Sequence, residues 1–246
     1  MNIQPRIPRG RLTNPPINHH FIPAFYLKSW AVLNNQLVEY SRPHDVVRPR
    51  KKYPTSTGFQ PGLYSFNEFP PETAQYFETE FFKPCDTTAN IVLRRLLSGD
   101  LDIRDAEQRS GFARFLFTVQ LRQPDAVVEF RAALPRLWAA AEHTLETSYA
   151  EHRTPDMPST FAEYRAASDP LMPLRIQMYM MQGAFDNALA GQHLIDLKWS
   201  TLEVSKAPDP LLTSDWPIVM NGGEGIVLFP LHPRTLRIAF RWHIFG

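Results

Sequence analysis

The chain of 246 residues contains a single cysteine, Cys85, which excludes an internal disulfide and a zinc site built on several cysteines. It has no apolar run of the ~20 residues needed to span a bilayer, and residues 1–18 lack the apolar centre of a secretory signal. No P-loop, Rossmann glycine pattern, His-Glu-x-x-His motif or zinc-finger spacing is present. The formal net charge is +1, so any basic binding site must be local. We therefore expect a soluble cytoplasmic protein with no membrane partner.

Proline is abundant, at 23 residues, and apolar residues make up 43% of the chain, which is enough for one packed core. Residues 1–17 carry three arginines among four prolines and are predicted to be a flexible arm. Residues 18–246 are predicted to form a single domain. Its last segment alternates in hydrophobicity almost to Gly246 without a polar tail, so we expect the C-terminus to be truncated.

Helical periodicity dominates the middle of the chain. It predicts helices at 72–82, 86–97, 105–123, 126–150 and 174–189, with Pro84 separating the first two. Strand patterns flank this region at 37–40, 62–66, 195–204 (with a bulge), 226–231 and 236–244. In the last strand Arg237 lies opposite the apolar face. The predicted fold class is α+β: a mostly helical centre with a small N-terminal hairpin and a C-terminal antiparallel sheet.

Short polar patterns mark three helix ends. Asp105 followed by Gln108, and Thr160 followed by Glu163, resemble capping boxes. Gly99 is placed to end the second helix in a left-handed conformation.

Two adjacent imidazoles, His19 and His20, precede Pro23 and an aromatic cluster. Histidine is the side chain best suited to metal ligation or proton transfer near neutral pH. Neighbouring residues point in different directions, so one ring is expected to face inward. It would be a single metal ligand or general base, or else a structural imidazole bonded to the backbone at the entry to a helix.

Three acidic residues are further candidates. Asp215, in the segment 213–217, could point into a cleft as a ligand or base, or bond nearby backbone N–H groups within a turn. Glu80 and Asp86 bracket Pro84 and reach one site only if the kink turns both inward; the alternative is a solvated position on the helix surface.

Gln120 and Arg122 lie at opposite edges of the apolar stripe of the predicted helix 105–123. Such half-buried positions suit polar groups that reach a partner. Arg122 could clamp a carboxylate or phosphate, or pair with a structural acid such as Asp125.

A basic stretch follows the first strand, with tyrosines close by in the sequence. Cations interleaved with aromatic rings are what contact with a phosphate backbone and base stacking require. The predicted nucleic-acid-binding residues are Arg48, Arg50, Lys51 and Lys52. The alternative is a solvated loop.

These residues resemble a mainly bacterial family, domain of unknown function 4238, over about residues 18–240. The N-terminal element His-His-x-x-Pro-x-x-Tyr-Leu is matched by residues 19–27, and an aromatic segment ends near Tyr64. Two acids on a helix, Glu80 and Asp86, and a helix end with Gln120 and Arg122 follow. The remaining matches are a Thr-Ser-Asp-x-Pro turn at 213–217 and a Pro-Leu-x-Pro segment at 230–233. The resemblance implies a shared fold and site but no particular reaction.

Two functional hypotheses follow. In the first, the polar motif residues converge into a His–carboxylate site that holds a divalent metal ion and hydrolyses a phosphodiester, as a nuclease in bacterial defence would. Its catalytic residues would be His19, His20, Asp215 and Arg122, its metal ligands His20, Glu80 and Asp215, and its supporting residues Tyr26, Tyr64, Gln120 and Asp86. In the second, the same residues form a buried structural network, and the basic stretch contacts nucleic acid or a protein partner.

Overall fold

The computed structural model describes residues 17–101, 103–167, 171–221 and 225–240. The helices are α1 (Ala24–Leu27), α2 (Pro71–Ala74), α3 (Lys83–Leu97), α4 (Ala106–Leu121), α5 (Pro124–His152), α6 (Phe161–Ala167), α7 (Met172–Phe185) and α8 (Ala188–Asp196). The strands are β1 (Asn18–His20), β2 (Leu37–Ser41), β3 (Arg48–Lys52), β4 (Phe59–Pro61), β5 (Lys198–Glu203), β6 (Val219–Asn221), β7 (Ile226–His232) and β8 (Thr235–Phe240). The predicted arm, apart from Ile17, and the end of the chain lie outside the described residues.

The N-terminal part forms two antiparallel ribbons, β1–β4 and β2–β3. The predicted strand at 62–66 is wrong, because Gly62 has a φ of +64° and opens a turn in which the Ser65 N–H donates to the Gly62 carbonyl. The strand that pairs with β1 lies just before this turn, at Phe59–Pro61. The turn carries Tyr64 into the interior, where it is fully buried.

The helical centre is built on the contact between the consecutive helices α3 and α4, and α8 packs on α4. Gly111 allows the close approach, since a Cβ there would lie 2.5 Å from Cγ2 of Thr88. Gly99 ends α3 with a φ of +86°, as predicted. Asp105 caps α4 through the Gln108 N–H, and Thr160 and Glu163 form the predicted capping box of α6.

Pro84 does not break the chain into two separate helices. A π-helical turn, Phe77–Phe82, precedes α3, and Pro84 falls in the first turn of α3. Proline lacks an N–H and crowds the carbonyl four residues before it. The wider i→i+5 turn accommodates both effects at this point.

The predicted helix 174–189 ends at Phe185, and a new helix starts at Ala188, leaving Leu189 exposed. The predicted bulge in 195–204 is also wrong, because residues up to Asp196 belong to α8 and β5 then pairs with β8 in unbroken register. The irregularity lies instead between Pro230 and His232 in β7.

The C-terminal strands form a four-stranded antiparallel sheet in the order β5-β8-β7-β6. Arg237 faces the buried side of this sheet, opposite Phe229 of β7, while Leu236 and Ile238 are half-buried on the other side. The main core joins this sheet to α1, α3 and α4. A second cluster packs residues 63–82 against α7.

The α+β class is confirmed, with a helical centre between N-terminal ribbons and a C-terminal antiparallel sheet. In the ranges that the structure describes, no helix has the length and apolar character to cross a bilayer.

Candidate functional site

His19 is fully buried and uses both ring nitrogens for hydrogen bonds. Its Nδ1 accepts from the Tyr64 backbone N–H at 3.0 Å, and a backbone N–H can only donate. The proton of the neutral ring therefore resides on Nε2, which donates to Oε1 of Gln75 at 2.5 Å. The ring also stacks on that of Tyr64, with centroids 5.4 Å apart. This geometry is that of the structural imidazole, because no lone pair remains for a metal or a substrate proton.

Tyr26 connects three distant segments of the chain. Its hydroxyl donates to the Pro230 carbonyl at 2.8 Å and lies 2.7 Å from Oγ1 of Thr213, which is therefore the donor to it. Burial raises the pKa of Tyr26 well above its usual value, so the phenol stays protonated and keeps its donor role. The N-terminal element, the Thr-Ser-Asp-x-Pro turn and the Pro-Leu-x-Pro segment thus meet at one hydroxyl group.

Arg122 is the largest fully buried side chain among the described residues. Its guanidinium binds the Asp86 carboxylate through three contacts of 3.1 to 3.3 Å and lies over the rings of Phe82 and Phe115. Burial disfavours the charged guanidinium, but Asp86 outweighs that effect and holds the pKa of Arg122 above its usual value. The acid that pairs with Arg122 is therefore Asp86 and not Asp125. Because the guanidinium already binds this internal carboxylate, it is not free to bind an external anion.

The backbone carbonyl of Arg122 also has a hydrogen-bond partner. The Tyr64 hydroxyl donates to the Arg122 carbonyl at 2.7 Å, at the point where α4 ends. Burial raises the pKa of Tyr64 well above its usual value, so this donor is also retained. We call His19, Tyr64, Asp86 and Arg122, together with the separately bonded Tyr26, the buried polar network.

A second acid, Glu78, faces this network in place of the predicted Glu80. Glu80 is exposed, whereas Glu78 is half-buried and within electrostatic reach of both Arg122 and Asp86. Burial raises the pKa of Glu78 to about 7; Asp86 adds to the shift and Arg122 opposes it. The π-helical turn sets the orientation of Glu78, and a 3.6-residue periodicity could not have shown it.

His20 follows His19 in β1 and is half-buried. Burial lowers its pKa, a hydrogen bond to the Thr55 backbone opposes this, and the charge of Arg122 lowers it further. Its Nε2 is buried and has no hydrogen-bond partner within the described ranges. His20 is therefore neutral at physiological pH, with its free ring nitrogen shielded from solvent.

Asp215 lies in the turn before β6, and Gln120 lies near the end of α4. Asp215 is exposed. The turn bonds that were predicted for Asp215 are made by Ser214, whose hydroxyl accepts from the Trp216 N–H and donates to the Trp216 carbonyl. Gln120 donates to the Ile218 carbonyl at 2.6 Å, which joins α4 to the segment before β6. Its role is structural.

The predicted metal ligands His20, Glu80 and Asp215 do not form a site. In the part of the chain that the structure describes, no group of three or more His, Cys, Asp or Glu side chains is arranged to hold a metal ion. Glu80 and Asp215 are exposed, and the Nε2 atom of the half-buried His20 is shielded from solvent.

The predicted nucleic-acid-binding residues lie on the ribbon formed by β2 and β3, which we call the basic ribbon (residues 37–53). Arg48, Arg50 and Lys51 are exposed and Lys52 is half-buried. Within residues 17–101, 103–167, 171–221 and 225–240 none of these four cations forms an ion pair. The structure thus presents them to solvent on a strand rather than on a loop.

The fold and the buried polar network define an α+β domain whose polar motif residues hold distant segments together. The chain belongs to the family of proteins of unknown function DUF4238, whose model matches residues 18–241. No curated protein and no solved structure matches the chain.

Proposed function

We propose that this protein is a non-catalytic module that binds single-stranded nucleic acid through the basic ribbon. The observation that carries the proposal is that exposed tyrosines and exposed cations lie on one two-stranded element. The metal-assisted hydrolase stays a prediction from the sequence, and the geometry of the buried polar network favours the module instead.

One face of the basic ribbon carries exposed aromatic rings. Opposite residues of an antiparallel pair share a face, and Val38 lies opposite Lys51 while Tyr40 lies opposite Pro49. Tyr53 follows two residues after Lys51 with extended backbone, so it continues the same face. Tyr40 and Tyr53 are 65% and 53% exposed. Rings exposed to this degree suit the stacking of bases, and Lys51 lies between them on the same face.

Positive charge lies on both faces of the same element, with Lys51 on the face of the tyrosines and Arg48 and Arg50 on the opposite face. Residues 37–53 contain five basic and two acidic side chains. Arg42 pairs with Asp45 across the turn at 3.3 Å, and Glu39 accepts a hydrogen bond from the Thr57 hydroxyl. The remaining cations are left for an external anion. Phosphate contacts by such side chains position a strand without reading its sequence.

Single strands fit this surface better than duplexes. The residues from Pro49 to Tyr53 span roughly 13 Å at 3.3 Å per residue, so the two rings lie far enough apart to stack different bases. Stacking of this kind requires unpaired bases, because the faces of paired bases are covered by their neighbours in the helix.

The test is fluorescence anisotropy with labelled 20-nucleotide poly(dT) and poly(U), using a duplex of equal length for comparison. We expect both single strands to bind more tightly than the duplex. With three phosphate contacts, log K should fall with log salt at a slope of about −2. The triple variant Arg48→Gln/Arg50→Gln/Lys51→Gln should remove most of that slope. Each of Tyr40→Ala and Tyr53→Ala should weaken binding by about fivefold or more.

A matched control is the double variant Arg94→Gln/Arg136→Gln, which removes two exposed cations that lie outside the basic ribbon, on α3 and α5. It should bind like the wild type. Equal binding by the triple variant, or no binding by the wild type at 50 mM salt, would refute the proposal. Cleavage of the strands on addition of Mg²⁺ or Mn²⁺ would instead support the hydrolase.

A further inference from the structure

We infer that the cavity beneath the C-terminal sheet binds a small carboxylate ligand with an apolar body, held by the buried guanidinium of Arg237. This inference is independent of the basic ribbon, since none of the residues that line the cavity belongs to it.

The cavity has a volume of about 250 Å³ and lies between α4, α8 and the inner face of the sheet. Its floor is apolar and buried, formed by Phe112, Ala113, Leu116 and Leu197. Leu101, which is 48% exposed, lies at the rim. For comparison, an apolar cavity of about 150 Å³ is enough to bind benzene. The space therefore suits a molecule with one small ring or a short alkyl chain.

Arg237 lines this cavity and is only 6% exposed. Its Nη1 donates to Oγ1 of Thr201 at 2.7 Å, and its guanidinium lies over the ring of Trp199. Its Nε is buried and has no hydrogen-bond partner among the described residues. In the same ranges no carboxylate pairs with it. A buried cation without a counterion costs several kcal/mol, and native proteins rarely retain one without a reason.

The surroundings of Arg237 contrast with those of Arg122. Both guanidiniums are buried beside aromatic rings, but Arg122 binds the carboxylate of Asp86. Burial lowers the pKa of Arg237 to about 10, and among the described residues no acidic side chain opposes that shift. An external carboxylate in the cavity would supply the missing negative charge, and a guanidinium presents donors that match the two oxygens of a carboxylate.

A second cation stands near the mouth. Arg109 lines the cavity, is exposed, and donates to the Ile195 carbonyl at 3.1 Å. It would attract an anion towards the entrance. One buried guanidinium matches the single charge of a carboxylate, whereas a phosphate dianion would bring a second charge into an apolar space.

Three probes separate charge from shape: 3-phenylpropanoate, its alcohol 3-phenylpropanol, and inorganic phosphate. We expect the carboxylate to raise the Tm of the full chain in a saturable way, by about 3–5 °C at ten times its Kd. The alcohol and phosphate should have much smaller effects. Calorimetric titration gives the Kd directly.

Arg237→Met removes the charge but keeps an unbranched chain, and should weaken 3-phenylpropanoate binding by at least about tenfold. Ala113→Leu should block the cavity without touching a charge, and should also abolish the shift. The control Arg136→Met removes an exposed cation and should bind like the wild type.

Any of three results would overturn the inference. The first is an equal response to the alcohol and the carboxylate. The second is binding that survives both Arg237→Met and Ala113→Leu. The third is a wild type that responds to none of the probes; if Arg237→Met then lowers the Tm of the free protein, Arg237 is a structural residue.

Discussion

Glu78 should make the stability of this protein fall as the pH rises towards neutrality. Burial raises the pKa of its carboxyl from 4.5 to about 7 in the folded protein. The folded state therefore binds the proton more tightly than the unfolded state between these two values. The free energy of unfolding decreases with rising pH wherever the folded state holds more protons. The stabilisation is complete below pH 4.5 and is lost as the pH passes through 7.

The size of the effect follows from the same interval. Each pH unit corresponds to about 1.36 kcal/mol, so the penalty for ionised Glu78 above pH 7 reaches at most about 3 kcal/mol. Solvent reaches part of this half-buried side chain, which makes that figure an upper limit. The physical cause is desolvation, strengthened by the negative charge of Asp86.

Glu78→Gln removes the titrating group while keeping its shape. Urea denaturation at pH 5, 6, 7 and 8 should give similar stabilities for variant and wild type at pH 5. At pH 8 the variant should be more stable, by up to about 3 kcal/mol. Glu80→Gln, an exposed position two residues away, is the matched control and should leave the pH dependence unchanged. Parallel curves for Glu78→Gln and the wild type would refute the reasoning.

Three further predictions concern the buried polar network. Arg122→Met strands the charge of Asp86 and should cost about 3–5 kcal/mol in urea denaturation; adding Asp86→Leu should recover part of this loss, and strictly additive losses would contradict the pairing. His19→Phe keeps the stacked ring but loses two hydrogen bonds, and should lower the free energy of unfolding by about 2–3 kcal/mol. Tyr26→Phe leaves the Pro230 carbonyl without its donor and should cost about 1–2 kcal/mol in the same assay; a loss no larger than that of an exposed Tyr→Phe change would argue against a structural hydroxyl.

Much of the architecture was predictable because local rules agree with the tertiary structure. The caps at Asp105 and Thr160 and the left-handed Gly99 follow from backbone chemistry that acts within a few residues. The aromatic residues of the segment 62–66 favour a strand, but this segment forms a turn. A positive φ at Gly62 overrides that preference, and the Tyr64 N–H bonds to a histidine instead of a neighbouring strand.

The site was harder to predict, because the sequence does not show which face of a helix or strand is buried. The Tyr64 hydroxyl donates to the Arg122 carbonyl, and Glu78 rather than the predicted Glu80 faces Arg122. The error comes from the π-helical turn, which adds a residue to the helix without a sequence signal. The alternation in β8 puts Arg237 on the face opposite the apolar residues. That face is nevertheless the buried one, which packs against α4 and α8. Alternation gives two faces but does not say which one is buried.

The buried polar network also explains how polar motif residues can identify a family without identifying a reaction. A polar group buried without a partner is costly, so each of these side chains must find its partner when the chain folds. The partners are distant: 45 residues separate His19 from Tyr64, and 187 separate Tyr26 from Thr213. Each bond therefore selects one arrangement of the helices and the sheet over its competitors. Residues that serve this purpose are already occupied, and the two proposed binding surfaces, the basic ribbon and the Arg237 cavity, are therefore built from groups outside the network.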